Sequence, residues 1–253
     1  MNRILLLIAA LTCSAFAVEP PPVDSLLKKI DFIGQMVTDI KARVDITQQK
    51  SGQGTKKFES TYYRRDSDDA FLIVMNSPAA EKGNGYLRVG DNFWMYRRNT
   101  RTFQHINRDE SIGGTDAKAD DFEKRSLTEL YGAVKDSAGN EGITQENLGQ
   151  IPVYKFEVKA KVNDVDYPKK VYWVRTDNHL VLKESSYSLS NTLMQTAYFL
   201  KYTDVRGRYV PIKQLFVDEF EKGNKTVVEI SDISTSKLDP QIFTKAYLEN
   251  LSK

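Results

Sequence analysis

The chain has 253 residues, 40% of them hydrophobic, and its 36 Lys and Arg stand against 34 Asp and Glu for a net charge of +2. That near-balance argues against nucleic acid as the main partner, which requires a basic face. One cysteine and two histidines exclude a disulfide framework and leave little for thiolate metal sites or nucleophilic catalysis.

Arg3 precedes an unbroken apolar run at 4–11, and Ala15-Phe16-Ala17 follows with the small-residue pattern of a signal-peptidase site. The run is far shorter than the roughly 20 residues a spanning helix needs. Cys13 raises lipidation as an alternative, but Ala10 and Thr12 do not match the Leu and the small residue that precede a lipidated cysteine. The N-terminus reads as a signal peptide, 1–17, cleaved after Ala17, with a single periplasmic domain over 18–253.

Pro20-Pro21-Pro22 leads into a predicted helix over 23–36, where Asp24 is a capping residue and Leu26, Leu27, Ile30, Ile33 and Met36 or Val37 recur at helical spacing. The period then becomes two. Ile40, Ala42, Val44 and Ile46 alternate with polar residues, as in a half-buried strand. Further strands are expected at 58–62, 70–76, 86–89, 92–97 and 102–106. Gly90-Asp91 forms a two-residue turn. In that register Val89 pairs with Asn92 and Leu87 with Trp94. A four-residue loop at 98–101 then brings Phe103 opposite Tyr96. Leu87, Val89, Trp94, Tyr96 and Phe103 therefore share one face.

Residues 107–141 break the pattern. They hold Gly113-Gly114, the acidic residues Asp116, Asp120 and Asp121, and a predicted helix over 126–131 in which Ser126 and Glu129 form a capping box. Strands resume at 143–149, 152–161, 167–175, 180–187, 193–202, 209–220 and 225–233, and a short helix begins near Asp239-Pro240. About a dozen antiparallel strands with few helices give a mainly β domain. So long a sheet tends to curl into a sandwich or barrel, leaving a concave apolar interior.

Catalytic patterns are not met. His105 ends a strand and His179 sits in the turn 176–179, neither beside a nucleophile motif, and no G-x-S-x-G occurs. The aspartates at 116–121 lack EF-hand spacing. Gly83-Asn84-Gly85 has no helix after it to cradle phosphate. Asn224-Lys225-Thr226 matches a glycosylation sequon, but reads here as a turn. No enzymatic role, metal or cofactor is expected.

The segment GNGYLRVGDNFWMYRRNTRTFQHI resembles the central hairpins of the LolA-like outer-membrane lipoprotein-sorting family. DFEKRSLTELY and LDPQIFTKAYLENL do so too. The resemblance implies a single half-open antiparallel β-barrel with an N-terminal helix and a helical lid insertion, enclosing a cavity for acyl chains. It makes Leu87, Val89, Trp94, Tyr96 and Phe103 candidate cavity wall, and Ile112, Phe122, Leu127 and Leu130 candidate lid residues. The length is closer to a longer branch associated with RND-type inner-membrane exporters. The implied partners are lipid or lipoprotein acyl chains, an inner-membrane exporter and an outer-membrane acceptor. A carrier moving cargo toward the outer membrane is the first expectation, and an accessory or sensor subunit docked on an exporter is the alternative.

Overall fold

The computed structural model describes residues 19–107 and 125–251. The signal peptide, the aspartates 116, 120 and 121, and the lid candidates Ile112 and Phe122 lie outside the described residues. Helix α1 (Val23–Gly34) buries Val23, Leu26 and Leu27 as its spacing predicts. It ends where Gln35 turns extended, so Met36 and Val37 lie beyond it.

Among the described residues, fourteen strands form one antiparallel sheet. The first meander comprises β1 (Ile40–Lys50), β2 (Gly54–Arg65), β3 (Ala70–Ser77), β4 (Gly85–Val89), β5 (Asn92–Arg97) and β6 (Thr102–His105). After the one-turn helix α2 (Leu127–Leu130) come β7 (Tyr131–Ala133), β8 (Thr144–Leu148), β9 (Ile151–Ala160), β10 (Lys169–Arg175), β11 (Val181–Tyr187), β12 (Leu193–Val205), β13 (Arg208–Asp218) and β14 (Lys225–Ser234). The strand order is β6-β5-β4-β3-β2-β1-β14-β13-β12-β11-β10-β9-β7, with β8 also on β9. Pairing of β1 with β14 joins the two meanders. Among the described residues β6 and β7 do not meet, so the sheet stays open, as the expected fold class requires. A three-residue strand, β7, was not foreseen within 107–141; it is too short to show an alternation.

Local readings in the first meander hold in detail. Val89 pairs with Asn92, Leu87 with Trp94 and Tyr96 with Phe103. Gly90 has φ +56°, the left-handed conformation such a turn needs. The capping box is formed as well: the Ser126 side chain accepts from the Glu129 N–H, and the Glu129 carboxylate accepts from the Ser126 N–H. Asn224 is buried in the β13–β14 turn, where its side chain donates to Glu221 and accepts from the Ser51 N–H.

The sheet is buried on both faces at its β2–β5 end. Phe71, Ile73 and Met75 of β3 face inward with Tyr86 and Phe93, and the Phe71 and Phe93 rings meet edge to face at 5.2 Å. Leu72 and Val74 face outward, beneath a 3-10 turn (Pro240–Phe243) and helix α3 (Lys245–Leu251). Arg65 anchors the start of this C-terminal segment. Its guanidinium pairs with Asp39 at 2.8 Å, donates to the Leu238 carbonyl and lies over the Phe243 ring at 5.1 Å. The Asp39 carboxylate in turn accepts from the Leu238 N–H at 2.7 Å.

Candidate functional site

A cavity of about 620 Å³ opens on the concave face, between two regions filled by the protein's own side chains. On one side the inward aromatics of β3–β5 close the interior. On the other, Leu26 and Leu27 of α1 pack over Phe156, Val158, Tyr172 and Val174. The cavity wall between them follows from strand register. Ile73, Tyr62 and Ala42 make one inward row across β3, β2 and β1. Met75, Ser60, Val44 and Ile230 make the next. Ile46, Val228, Gln214 and Phe199 form a third, and Thr226, Phe216, Ala197 and Glu184 a fourth. All of these residues line the cavity. Its volume lies within the range of about 300–1,000 Å³ that small ligands occupy.

Three charged groupings, besides Asp166, touch this mainly apolar wall. At the rim, Arg125 pairs with Asp164 at 2.9 Å. Arg64 bonds to Asp66 and to the Gly34 carbonyl. The third is deepest: Lys170 Nζ lies 2.7 Å from Glu184 Oε1, and the two side chains are 18% and 17% exposed. The Ser186 hydroxyl also donates to Glu184 Oε1 at 3.2 Å. Burial works against the Lys170 charge, but Glu184, aided by Tyr172 and Tyr131, holds its pKa well above the ordinary lysine value. The Tyr172 hydroxyl is buried beside this pair without a hydrogen bond of good geometry; burial first, then the Glu184 charge, raises its pKa well above the ordinary tyrosine value.

Helix α2 forms part of the wall. Leu127 and Leu130 line the cavity and pack against the α1 cluster. The Leu127 N–H donates to Asp31 Oδ1 at 2.9 Å, tying α2 to α1. The other Asp31 oxygen is buried, and burial raises the Asp31 pKa against the opposing backbone N–H groups of Leu127 and Thr128.

The other expected wall residues lie elsewhere. Leu87, Val89, Trp94, Tyr96 and Phe103 do share a face, but it is the convex one, where they pack against Leu238, Phe243 and Leu248. The reason is parity. Leu87 pairs with Leu72, and Leu72 with Tyr63, so all three point away from the row containing Ile73 and Tyr62. Trp94 and Phe103 instead hold the Lys245 ammonium, which stands 4.3 and 5.2 Å from their ring centres. The wall strands β1, β2, β13 and β14 were not singled out from sequence, although the inward residues of β1 carry the clean alternation noted there.

Neither histidine lies in the cavity wall. His105 sits against the Trp94 ring, and His179 Nε2 lies 3.1 Å from Lys29 Nζ. Burial, and then the Lys29 charge, lowers the His179 pKa.

A protein-family model described as "Uncharacterized protein" matches residues 67–250. The chain belongs to that family. No curated protein matches it. Solved structures do. A domain described as an outer-membrane lipoprotein-sorting protein, from Vibrio parahaemolyticus, superposes with TM-score 0.76 at 15% identity, covering 89% of this chain and 97% of that one. A LolA superfamily protein from Nitrosomonas europaea gives TM-score 0.71 at 20% identity, covering 90% and 100%. A DUF1329 family protein from Desulfovibrio piger gives 0.76 at 20% identity, covering 89% and 97%. At these identities the likeness is one of fold, and the family member described here has the LolA-like open barrel.

Proposed function

We propose that this chain is a periplasmic, non-enzymatic carrier that holds acyl chains of a lipid or lipoprotein in the cavity and moves them toward the outer membrane. The observation that carries the reading is the aliphatic cavity of about 620 Å³ inside a LolA-like open barrel. Each methylene removed from water contributes about 0.8 kcal/mol, so one long acyl chain suffices for useful affinity. The attraction is non-directional, so cargo passes to any acceptor whose cavity covers it better. The lipoprotein-sorting description of the Vibrio parahaemolyticus domain supports the same class of cargo. An inner-membrane exporter would supply the cargo and an outer-membrane acceptor would take it. Helix α2 is taken as a movable part of the wall: it is one turn long, and its ties are the Asp31 hydrogen bond to α1, two hydrogen bonds to Lys161 and a few aliphatic contacts.

Native mass spectrometry of the protein purified from a bacterial periplasm tests this. Co-purified phospholipid or lipoprotein is the expected result. A clean protein mass under gentle conditions, with no uptake of a hydrophobic fluorescent probe, would overturn the reading. Protease cutting within 107–131 should also differ between lipid-loaded and lipid-free protein.

A further inference from the structure

The pair Lys170–Glu184 sits where a purely hydrocarbon ligand would be poorly served. Lys170 lies on β10 and Glu184 on β11, diagonal neighbours that both line the cavity. Glu184 shares its inward row with Ala197 and Phe216, and the aliphatic Val44, Val228 and Ile230 line other parts of the same wall. An acyl chain filling this space expels water from the ammonium and the carboxylate. Burying polar groups without replacement partners is unfavourable. One of the three Lys170 donors is directed at Glu184 and the ammonium also stands 5.6 Å from the Tyr131 ring centre, a weak contact that leaves donor capacity at the cavity wall. Glu184 Oε1 already accepts from both Lys170 and Ser186, so the carboxylate balances the ammonium from one side and leaves the other Lys170 donors toward the cavity.

We propose that Lys170, neutralised by Glu184, is a polar subsite that receives the carbonyl oxygen of an acyl group, so that the ligand lies with its carbonyl at β10–β11 and its hydrocarbon along β1, β2 and β14. The proposal rests on the carrier reading and deepens it. Because Glu184 balances the charge, the subsite does not demand an anion. An acyl ester and a free fatty acid present the same acceptor oxygen, and they are the two sources to be separated.

The test is displacement of a hydrophobic fluorescent probe by lauric acid, by methyl laurate and by 1-chlorododecane, a neutral compound of matching tail without a carbonyl. The wild type should prefer laurate or its methyl ester over the chloroalkane by ~tenfold. Lys170→Met with Glu184→Leu replaces the pair by apolar groups, a change that is often neutral for folding. It should bring that ratio near one while tail binding persists. Glu184→Gln leaves the ammonium unbalanced and should shift preference from the methyl ester toward laurate. In the wild type, a clear advantage of methyl laurate assigns an esterified acyl group, a clear advantage of laurate assigns a free fatty acid, and equal displacement by these two means that the subsite reads the carbonyl of either. Thermal melts identify any variant that fails to fold, and the Glu184→Gln arm then decides. Equal displacement by all three compounds in wild type and variants overturns the subsite but leaves the carrier reading intact. No displacement by any of them overturns the carrier reading itself.

Discussion

Leu248 of α3 occupies the space that a side chain on Gly85 of β4 would need: a Cβ there would overlap Leu248 Cδ2 and approach the Ile73 carbonyl at 3.2 Å. Leu248 is fully buried, and with Tyr247 against Tyr63 it fastens the C-terminal segment to the convex face. Gly85→Ala should therefore destabilise by ~1–3 kcal/mol through overpacking, seen as an earlier urea midpoint. The same change should speed proteolysis near the C-terminus. An unchanged midpoint would mean that α3 is not seated as described.

The contact between Asp39 and Arg65 predicts a particular acid response. The Arg65 hydrogen bonds, opposed by partial burial, hold the Asp39 pKa below its ordinary value. A carboxylate with a depressed folded-state pKa contributes stability that is present above its unfolded value, about 3.9, and lost as pH falls through the folded value. Asp39→Asn should lower stability at pH 7. The gap between variant and wild type should close in that acid range, as read from thermal melts at a series of pH values.

Val228 lines the cavity midway along β14, facing Gln214 on one side and Ile46 on the other. Val228→Trp places an indole where cargo would lie. Probe affinity should fall by ~tenfold or more, while the thermal midpoint moves by only a few degrees because the ring enters open volume. Probe binding equal to wild type would show that ligands do not use this space.

Arg125 and Asp164 are partly exposed at the rim, so their pairing adds little stability. Its effect should be on passage. Asp164→Asn is expected to leave the thermal midpoint nearly unchanged and to raise the rate of probe release in stopped-flow exchange. Added salt should narrow the difference between variant and wild type.

Much of this fold is written in short-range pattern. The turn at Gly90-Asp91 set the register through Phe103, and alternation in β1 marked the strand that now lines the cavity. Alternation groups residues by face without saying which face is concave. Leu87 and Trp94 were therefore correctly grouped and assigned to the wrong side. A clue was present in β3, whose run Ala70, Phe71, Leu72, Ile73, Val74 and Met75 is buried throughout. Such a run requires cover on both faces, and α3 provides the outer one. Lys170 and Glu184 escaped notice because their meeting depends on the β10–β11 register, which carries an irregularity near Trp173.

Among the described residues β6 and β7 remain unjoined, which bears on how much the cavity could hold. In a continuous barrel, strand number and stagger fix the girth. An open sheet lacks that closure condition, so its curvature is not fixed by strand number and stagger alone. A carrier of the proposed kind would then have elastic capacity, and passengers with one tail or several would fit within the same fourteen strands.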